Sequence, residues 1–360
     1  MIIGVPLETK QGERRVALLP RAVEEIKAAG HDVRVETRAG LAAGFDDTAY
    51  REAGADIVVA KDVWDSDLIV KVKEVQEADL AIMPRGATIF SFHHLPGEPD
   101  RTRELAAKGA TAIAFEMVRD ARGQFPLLAP MSKIAARLGV EHGMALLGAS
   151  AAGERRRALV LGAGNAGMSA ARAASRLKAD VVILTRSNGS VEDAKDAGFK
   201  SFLSTPENIE QYALASDLIV GAVFVAGEPT PKLLPRELVK RMKPGSVIVD
   251  FSIDAGGVAE TSRPTTHEEP CYIEEGVIHC CIPNIPAADP PAASKAISEA
   301  ALPYVLDMAS HESVAAALTR NPELRDAVLL WQGHINHEGI ATEAWLPYTP
   351  LTDTMLAESA

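Results

Sequence analysis

The amino-acid sequence predicts an α/β protein with two Rossmann-like domains, each containing a parallel sheet, and a cleft between the two domains. The chain has 360 residues, more than a single ordinary hydrophobic core organises. Strand-like and helix-like segments alternate along both halves of the chain, as in parallel α/β sheets. The strand-like segments are apolar without a two-residue alternation, so both faces of each sheet are expected to be covered.

The first third of the chain supplies the strands of the first sheet. The candidate strands are Ile2–Val5, Val33–Glu36, Leu68–Val72, Thr88–Phe92 and Thr111–Phe115. Between the first two, Pro20–Ala29 is predicted to be helical, because Pro20 stands at its start, Val23 and Ile26 share one face, and Gly30 follows its end.

A second α/β series begins at Ala158. The candidate strands are Ala158–Leu161, Val181–Leu184, Leu218–Val223, Val247–Phe251 and Val277–Ile282. Met168–Leu177 is predicted to be the helix after the first of them. The proline-rich segment Pro283–Pro291 ends this pattern, and two predicted helices, Ser294–Ala309 and Val314–Thr319, then lead to a polar tail.

Composition limits the partners and the location of the protein. The net charge of −12 argues against nucleic acid or anionic membranes as main partners, so anionic substrates must be attracted by local cations. We find no signal peptide, and the longest apolar run is too short to span a bilayer. The three cysteines (Cys271, Cys280 and Cys281) do not make a disulfide framework or a zinc site. A cytoplasmic protein with reduced thiols is expected.

The segment Gly162-Ala-Gly-Asn-Ala-Gly167 matches the GxGxxG pattern of dinucleotide-binding turns. It follows a predicted strand and opens a predicted helix, which is the context the pattern requires. The glycines allow a tight turn and a close approach to a pyrophosphate, and the helix N-terminus offers free N–H groups. We therefore predict that Gly162, Gly164, Asn165, Ala166 and Gly167 bind a nicotinamide dinucleotide. A glycine-rich turn without a ligand is the alternative.

Residues after the second strand of this series predict which cofactor is bound. NAD enzymes usually carry Asp or Glu there to hold the ribose 2′-hydroxyl. This chain has Thr185, Arg186 and Ser187 instead. No carboxylate repels a 2′-phosphate, and Arg186 is able to pair with one, so NADP is favoured over NAD. In the alternative interpretation Arg186 stacks on adenine or faces water.

Polar residues mark the strand ends of the first domain as a candidate substrate site. They form three pairs: Arg14 and Arg15, Lys71 and Lys73, and His93 and His94. An arginine and a lysine that converge suit a substrate carboxylate, and a neutral histidine beside them suits proton transfer. Neighbouring strand residues point to opposite faces, so one histidine is expected to face a cleft. For any one of these residues alone, a solvated surface role is the alternative.

In the cofactor domain, Asp254 follows a buried strand. A carboxylate there faces the crevice where α/β folds bind ligands, unless it only caps the turn before Gly256. His267, His279, His334 and His337 are interpreted as structural or solvated. No third ligand accompanies His334 and His337, so no metal is predicted.

Taken together, these segments resemble the alanine dehydrogenase family, which shares its fold with the NAD(H)-binding subunit of proton-pumping transhydrogenase. The resemblance runs nearly end to end. Besides the GxGxxG turn, it rests on Gly12-Glu-Arg-Arg-Val-Ala-Leu-Leu-Pro20, Lys71-Val-Lys-Glu74, Phe90-Ser-Phe-His-His-Leu95, Leu127-Leu-Ala-Pro-Met-Ser132, Lys243-Pro-Gly-Ser-Val-Ile-Val-Asp250, Ser262-Arg-Pro-Thr-Thr-His267 and Pro283-Asn-Ile-Pro286.

The resemblance implies a discontinuous substrate domain, residues 1–130 and 291–360, with the dinucleotide-binding domain, residues 131–290, inserted into it. Arg15 and Lys73 are then expected to bind the substrate carboxylate and carbonyl, and His94 to act as the acid and base. Asp254 is expected to assist proton transfer once domain closure brings it to His94 and excludes water. A homo-oligomer is also implied.

Further contacts follow from the same resemblance. Met131 and Ser132 are expected to line the site where cofactor and substrate meet, and Ser204, Val223 and Asn284 to add cofactor contacts. The implied reaction is reversible: a 2-oxo acid such as pyruvate, ammonia and reduced cofactor give an L-amino acid. Hydride reaches the α-carbon of an iminium, and His94 handles the protons of the preceding carbinolamine.

The sequence departs from the family at four places. Thr185 stands where the family carries an acid, and His93 stands where the family is usually apolar. Gly148–Arg157 is short and polar where the family is glycine-rich, and Pro290–Ala300 replaces a stretch rich in Ser, Thr and Asn. The first departure puts NAD in question, and the others put alanine and ammonia in question.

These departures leave other functions open. One is an imine-reducing condensation of a 2-oxo acid with an amino-acid amine, as in carboxyethyl-ornithine synthases, with which Gly12–Arg15 is also compatible. Another is a transhydrogenase-type nucleotide-binding subunit. The last is a relative that binds the nucleotide without catalysis.

Overall fold

The computed structural model of the protein describes residues 1–148, 154–223 and 230–358. The chain divides into two compact units. The first unit comprises Met1–Met131 and Asp289–Ala360, and the second unit is Ser132–Ala288. The boundaries predicted from the sequence, 130/131 and 290/291, differ from these by one and two residues. The assignment of substrate to the first unit and dinucleotide to the second stays a prediction.

Helices and strands alternate along the described residues. The strands are β1 (Ile2–Val5), β2 (Asp32–Glu36), β3 (Asp56–Val58), β4 (Leu68–Val70), β5 (Thr88–Ser91), β6 (Thr111–Ala114), β7 (Arg157–Leu161), β8 (Asp180–Thr185), β9 (Lys200–Leu203), β10 (Leu218–Gly221), β11 (Val247–Asp250), β12 (Tyr272–Glu274), β13 (Val277–Cys280), β14 (Val328–Trp331) and β15 (His334–Ile335).

The α-helices are α1 (Pro20–Ala28), α2 (Asp47–Glu52), α3 (Ala60–Trp64), α4 (Glu77–Ile82), α5 (Pro99–Ala107), α6 (Leu128–Leu146), α7 (Asn165–Arg176), α8 (Asn188–Asp196), α9 (Pro206–Ala215), α10 (Arg236–Val239), α11 (Pro290–Ala309), α12 (Val314–Arg320), α13 (Pro322–Arg325), α14 (Glu338–Ala344) and α15 (Asp353–Ala357). Short 3₁₀ turns occupy Leu41–Ala43, Ile253–Ala255 and Ile285–Ala288. Among the described residues, no helix combines the length and the apolar character needed to cross a membrane.

The first unit contains a mixed sheet with the strand order β15-β14-β6-β5-β4-β1-β2-β3. The strands from β6 to β3 are parallel to one another, as the apolar segments predict. Both β14 and β15 are antiparallel to their neighbours, so the expectation of a purely parallel sheet is corrected at this edge. Strands β4 and β6 are completely buried, because helices and loops cover both faces.

The second unit contains a sheet with the order β12-β13-β11-β10-β7-β8-β9, parallel except for the antiparallel strand β12. After the central strand β7, the chain passes through α7 to β8. Strand β8 pairs with β7 on one side, and β10 pairs with β7 on the other side. The order of the strands therefore reverses at β7. In open α/β sheets, ligands bind at the carboxyl end of the strands at such a point.

The prediction of a polar tail is wrong. Val328–Trp331 is a fully buried strand that pairs with β6, and Leu329, Leu330, Ile335 and Ile340 join the same core cluster. This apolar segment is only four residues long, so its periodicity alone does not distinguish it from a loop. Only its pairing with β6 identifies it as part of the sheet.

Several predicted strands end earlier than the sequence suggests, and this places polar residues on loops. Strand β4 ends at Val70 rather than Val72, and β5 ends at Ser91 rather than Phe92. Lys73 and His94 therefore lie on the loops that follow these strands. Helix α1, by contrast, ends within one residue of its predicted end, with Pro20 at its first turn.

Candidate functional site

The candidate substrate site lies in the first unit, where three neighbouring strands end. Strands β5, β4 and β1 are adjacent and parallel, so their carboxyl ends meet at one edge of the sheet. The loop after β1 carries Arg15, the loop after β4 carries Lys73, and the loop after β5 carries His94. The topology thus brings together three residues that are up to 79 positions apart in the sequence.

Lys73 and His94 are in direct contact. The Lys73 Nζ atom lies 3.3 Å from His94 Nε2. Burial is the main cause that lowers the pKa of Lys73 from its ordinary value, and the charges of Lys10 and Arg15 lower it further. When the Lys73 ammonium donates this hydrogen bond, the imidazole accepts it through Nε2 and carries its own proton on Nδ1.

The His94 ring is held neutral in an open position. Its surface remains exposed to solvent, and it stacks on Phe92 with 5.8 Å between the ring centroids. The protein atoms packed around the ring, and next the Lys73 ammonium, lower the pKa of His94 well below its ordinary value. A neutral imidazole that reaches solvent is able to accept a proton at neutral pH.

The Arg15 side chain is buried and oriented by a carboxylate. Its Nε and Nη2 atoms donate to the two carboxylate oxygens of Glu13 at 2.7 and 2.6 Å, and its Nη1 atom lies 3.2 Å from the Met131 sulfur. The two-point ion pair fixes the plane of the guanidinium. Arg15 and Met131, both predicted as site residues, therefore lie side by side.

Glu74 is a residue of this site that the sequence interpretation does not single out. Its carboxylate forms an ion pair with Lys10 and lies 3.8 Å from Lys73 Nζ. Burial opposes its ionisation, but Lys73 and Lys10 together lower the pKa of Glu74 to about 2. The carboxylate therefore stays negative beside the Lys73 ammonium. Its position directly after Lys73 is the only signal in the sequence.

A second lysine, Lys71, is buried and has a structural role. Its Nζ atom lies 2.6 Å from an Asp79 carboxylate oxygen and 3.6 Å from Glu8. The Glu8 carboxylate also accepts the backbone N–H groups of Val72 at 2.5 Å and Lys73 at 3.3 Å. Burial is the main cause that raises the pKa of Glu8 to about 7, although Lys71 opposes this. This cluster fixes the backbone that carries Lys73.

The structure separates the two adjacent histidines, but not by strand alternation, because β5 ends at Ser91 and His94 adopts a left-handed backbone conformation with a φ of 47°. His93 is completely buried, and its Nε2 atom lies 3.3 Å from the carbonyl oxygen of Ile89. Burial lowers the pKa of His93 to about 4, so this ring is neutral. His94 is the member of the pair that faces solvent.

In the second unit, the three glycines of the GxGxxG turn have different surroundings. A Cβ atom at Gly162, whose φ is 105°, would lie 2.2 Å from the carbonyl oxygen of Ala222, and a Cβ at Gly167 would lie 2.0 Å from that of Gly162. A Cβ at Gly164 would meet nothing within 4 Å. Gly164 is the N-cap of α7, so its open side adjoins the free N–H groups of the helix.

These three environments match the three tasks of a dinucleotide-binding turn. The first glycine allows the tight turn, the second leaves room for a pyrophosphate, and the third allows close packing of helix and strand. Asn165 and Ala166 form the first turn of α7, whose N-terminus favours an anion. The residues present therefore fit a nicotinamide dinucleotide.

The end of β8 carries the residues expected to select the cofactor. Thr185 is buried, and its carbonyl oxygen accepts the backbone N–H of Ser204 at 2.9 Å. The Ser187 hydroxyl caps α8 by accepting the N–H of Ser190 at 3.2 Å. Arg186 is exposed and forms no ion pair with the described residues. Its guanidinium is thus available at this sheet edge.

Other predicted residues lie at the ends of β10, β11 and β13. The Ser252 hydroxyl bonds to both the N–H and the carbonyl oxygen of Val223, at 2.9 and 2.8 Å, and so links the loops after β10 and β11. Asp254 is exposed on the short 3₁₀ turn after β11. Asn284 has a φ of 60° and lies just after β13, and Ser132 is half-buried in α6.

Asp250 supports the loop that carries Asp254, although the sequence interpretation gives it no role. Its carboxylate is completely buried and accepts the N–H groups of Ser252 at 3.0 Å and Val258 at 2.8 Å and the hydroxyl of Ser262 at 2.7 Å. Burial raises the pKa of Asp250. Its position at the end of an apolar strand resembles that of many capping residues, so its sequence signal is weak.

The fold and the glycine-rich turn define a two-unit α/β protein with a Rossmann-type dinucleotide-binding unit. Two family models match nearly the whole chain: the alanine dehydrogenase/PNT N-terminal domain over residues 4–135 and the alanine dehydrogenase/PNT C-terminal domain over residues 134–338. The chain belongs to the alanine dehydrogenase/PNT family. The resemblance stated from the sequence motifs is thereby confirmed.

Individual relatives and solved structures agree with this family. The chain is 38% identical to an alanine dehydrogenase of Bacillus subtilis, over 100% of this chain and 99% of the relative. A solved L-alanine dehydrogenase superimposes with a TM-score of 0.89 at 36% identity and covers 95% of this chain and 99% of its own. A transhydrogenase from Sinorhizobium meliloti gives a TM-score of 0.82 at 25% identity, over 94% of this chain and 99% of its own.

Proposed function

We propose that the protein is an amino-acid dehydrogenase that interconverts pyruvate, or a related 2-oxo acid, and the L-amino acid, with a preference for NADP(H). It is an oxidoreductase that acts on a CH–NH₂ donor. The contact between Lys73 Nζ and His94 Nε2, 3.3 Å, carries the proposal within this family, because it joins a cation with a neutral base. Arg15 lies at the same sheet edge.

Each side chain has a defined part in the proposed reaction. The Arg15 guanidinium binds the substrate carboxylate by charge-assisted hydrogen bonds, and the Lys73 ammonium polarises the 2-oxo carbonyl. Neutral His94 accepts the proton that ammonia loses on addition to the carbonyl carbon and passes it to the carbonyl oxygen, which becomes the carbinolamine hydroxyl. After it takes up a second proton from solvent, His94 donates that proton to the hydroxyl, which leaves as water and gives the iminium. The reverse direction uses the same groups in the opposite order.

The second unit supplies the binding site for the nicotinamide cofactor. The GxGxxG turn, from Gly162 to Gly167, and the N-terminus of α7 would hold its pyrophosphate. Ser132, Ser204, Val223 and Asn284 are proposed to add contacts to it. The cofactor, when bound, supplies or accepts the hydride at the α-carbon of the substrate. Asp254 is proposed to assist proton transfer.

The preference for NADP(H) rests on Arg186. The end of β8 offers its exposed guanidinium and Thr185 in place of a carboxylate, which suits a ribose 2′-phosphate. Changing Arg186 to Ala is expected to raise the KM for NADPH much more than the KM for NADH. Arg176, an exposed arginine at the end of α7, provides the matched control, Arg176→Ala. Equal effects of Arg186→Ala on both cofactors would refute the assignment.

Absorbance at 340 nm provides the decisive assay for the reaction. Pyruvate, ammonia and NADPH or NADH are supplied, followed by a panel of 2-oxo acids and amines. Turnover with ammonia supports the dehydrogenase. Turnover only with an organic amine would move the protein to the imine-condensing reaction. Tight NADPH binding without any turnover would favour a nucleotide-binding subunit. A cytoplasmic location and a homo-oligomer remain predictions.

A further inference from the structure

Glu116 holds the two histidines that follow β5 through their backbone. Its carboxylate oxygen Oε1 accepts the N–H of His94 at 2.7 Å and that of His93 at 3.0 Å, and Oε2 lies 3.2 Å from the same His93 nitrogen. Hydrogen bonds to an ionised acceptor are short and strong, and 2.7 Å is within that range. The function proposed above gives Glu116 no part.

His94 needs such support because of its backbone conformation. Its φ is 47°, in the left-handed region, which residues other than glycine adopt rarely and at a cost in free energy. This turn of the backbone lets His93 point into the core while His94 points to solvent. A carboxylate that accepts both consecutive N–H groups favours this arrangement over an extended one, in which the two groups diverge.

The sheet anchors the backbone that leads to Glu116. Glu116 lies two residues after β6, which pairs with β5 in parallel register from Thr88 and Thr111 onward. The backbone N–H of Phe115 donates to the carbonyl oxygen of Ser91 at 2.8 Å, which continues this pairing to the residue before Glu116. The backbone that leads into the turn carrying Glu116 is therefore anchored to β5 up to the residue before Glu116.

The orientation of the His94 ring depends on this backbone. The ring lies nearly parallel to that of Phe92, with an angle of 8° between the planes, and its Nε2 atom faces Lys73. Both contacts require the left-handed turn at His94, because an extended residue would direct the ring elsewhere. The hydrogen bonds between Glu116 and this segment come from the main-chain N–H groups of His93 and His94.

We propose that Glu116 is a positioning residue that fixes the His94 imidazole against Lys73 and Phe92 by binding the backbone N–H groups of His93 and His94. The proposal rests on the function proposed above in assigning His94 the proton transfers. The geometric part, that Glu116 sets the orientation of the His94 ring, is testable without turnover. Two measurements on the same variants therefore distinguish a failure of the positioning role of Glu116 from a failure of the proposed function.

The first measurement follows the histidines by NMR. The full chain is labelled with ¹⁵N-histidine, and the ring of His94, one of nine histidines, is titrated in wild type, Glu116→Gln and the control Glu104→Gln. Glu104 is an exposed carboxylate on α5. In Glu116→Gln, the His94 backbone N–H signal is expected to move upfield. The ring pKa is expected to rise toward its ordinary value because the displaced ring leaves its packed surroundings and loses the contact with Lys73. An unchanged ring titration would overturn the proposal.

The second measurement is the pH dependence of turnover with the 2-oxo acid and NADPH. Displacement of a reacting group by about 1 Å costs about 100-fold in rate, so Glu116→Gln is expected to lower kcat by tenfold or more. The KM for the 2-oxo acid should change less than about threefold, because Arg15 and Lys73 remain. The limb of the pH profile that reports His94 should shift with the ring pKa. Loss of kcat with no shift of this limb would indicate a purely structural residue and overturn the proposal.

Two outcomes need separate treatment. If Glu116→Gln does not fold, as judged by thermal melting, Glu116→Asp is measured instead. Its side chain keeps the charge but is one methylene shorter, which lengthens the hydrogen bonds from both N–H groups, so an intermediate ring pKa is expected, and a wild-type value would contradict the proposal. If the wild-type protein turns over no 2-oxo acid, the proposed function fails, and the NMR titration alone decides whether Glu116 orients His94.

Discussion

Replacing Gly164 by alanine separates the folding of the glycine-rich turn from its use as a binding site. A Cβ atom at Gly164 would meet nothing within 4 Å, and its φ of −73° is ordinary for alanine. Alanine reduces the entropy of the unfolded chain, which stabilises the fold by about 0.4–1 kcal/mol. As an N-cap it is poorer than glycine by a similar amount. The free energy of unfolding is therefore expected to change by less than about 1 kcal/mol.

Cofactor binding should respond very differently. The methyl group of Gly164→Ala would occupy the space through which a pyrophosphate approaches the N–H groups of α7. A hydrogen bond between a charged group and an N–H contributes about 1.5–3 kcal/mol. Loss of one such bond corresponds to an increase in the Kd for NADPH of roughly tenfold to a hundredfold.

Gly167→Ala is the matched comparison. A Cβ at Gly167 would lie 2.0 Å from the carbonyl oxygen of Gly162, so the backbone must move. Overpacking of this kind costs about 1–3 kcal/mol or more, and Gly167→Ala should therefore lose both stability and binding. Urea unfolding gives the stability, and fluorescence titration with NADPH gives the Kd. The reasoning is refuted if Gly164→Ala binds NADPH as tightly as the wild type.

Three further changes test other parts of the structure. Burial raises the pKa of Glu8 from an ordinary value of 4.5 to about 7, so the stability that Glu8 contributes is complete below pH 4.5 and is lost as the pH rises to 7. Glu8→Gln should remove this pH dependence, which amounts to about 3 kcal/mol in the free energy of unfolding. A difference in unfolding free energy between variant and wild type that stays constant with pH would contradict this. Asp250→Ala leaves three buried or half-buried donors without their acceptor and should cost at least about 3 kcal/mol in urea unfolding; a loss below 1 kcal/mol would be inconsistent with the carboxylate supporting the loop. Leu330→Ala in the buried strand β14 should cost about 2–5 kcal/mol, whereas a truly polar tail would tolerate it without measurable loss of melting temperature.

The dinucleotide turn was predictable because its information is local. A strand, three glycines and a helix follow one another within 20 residues, from Arg157 to Arg176, and each element has its own sequence signal. Arg15, Lys73 and His94 were recognisable for a related reason. Each follows an apolar strand, and parallel strands direct their carboxyl ends to the same edge of a sheet. Their meeting point could thus be inferred without knowledge of side-chain contacts.

The supporting carboxylates were not predictable in the same way. Glu74 and Glu116 carry no motif, and their partners depend on which strands are neighbours and on how far each strand extends. Glu116 contacts His94 across 22 positions of sequence, through the pairing of β5 with β6. Asp250 similarly acts on residues up to 12 positions away, and at the sequence level it resembles an ordinary end of a strand.

The sequence by itself determined the α/β class, the place of the glycine-rich turn and the residue types that gather at the strand ends. Hydrophobic periodicity and turn chemistry encode these features over short segments. Only the tertiary structure decided that Val328–Trp331 completes the first sheet, that His93 is buried while His94 is exposed, and which carboxylates hold the site. These features arise from hydrogen bonds and packing between segments distant in sequence, where the pairing of strands, and not the local pattern, sets the distances between side chains.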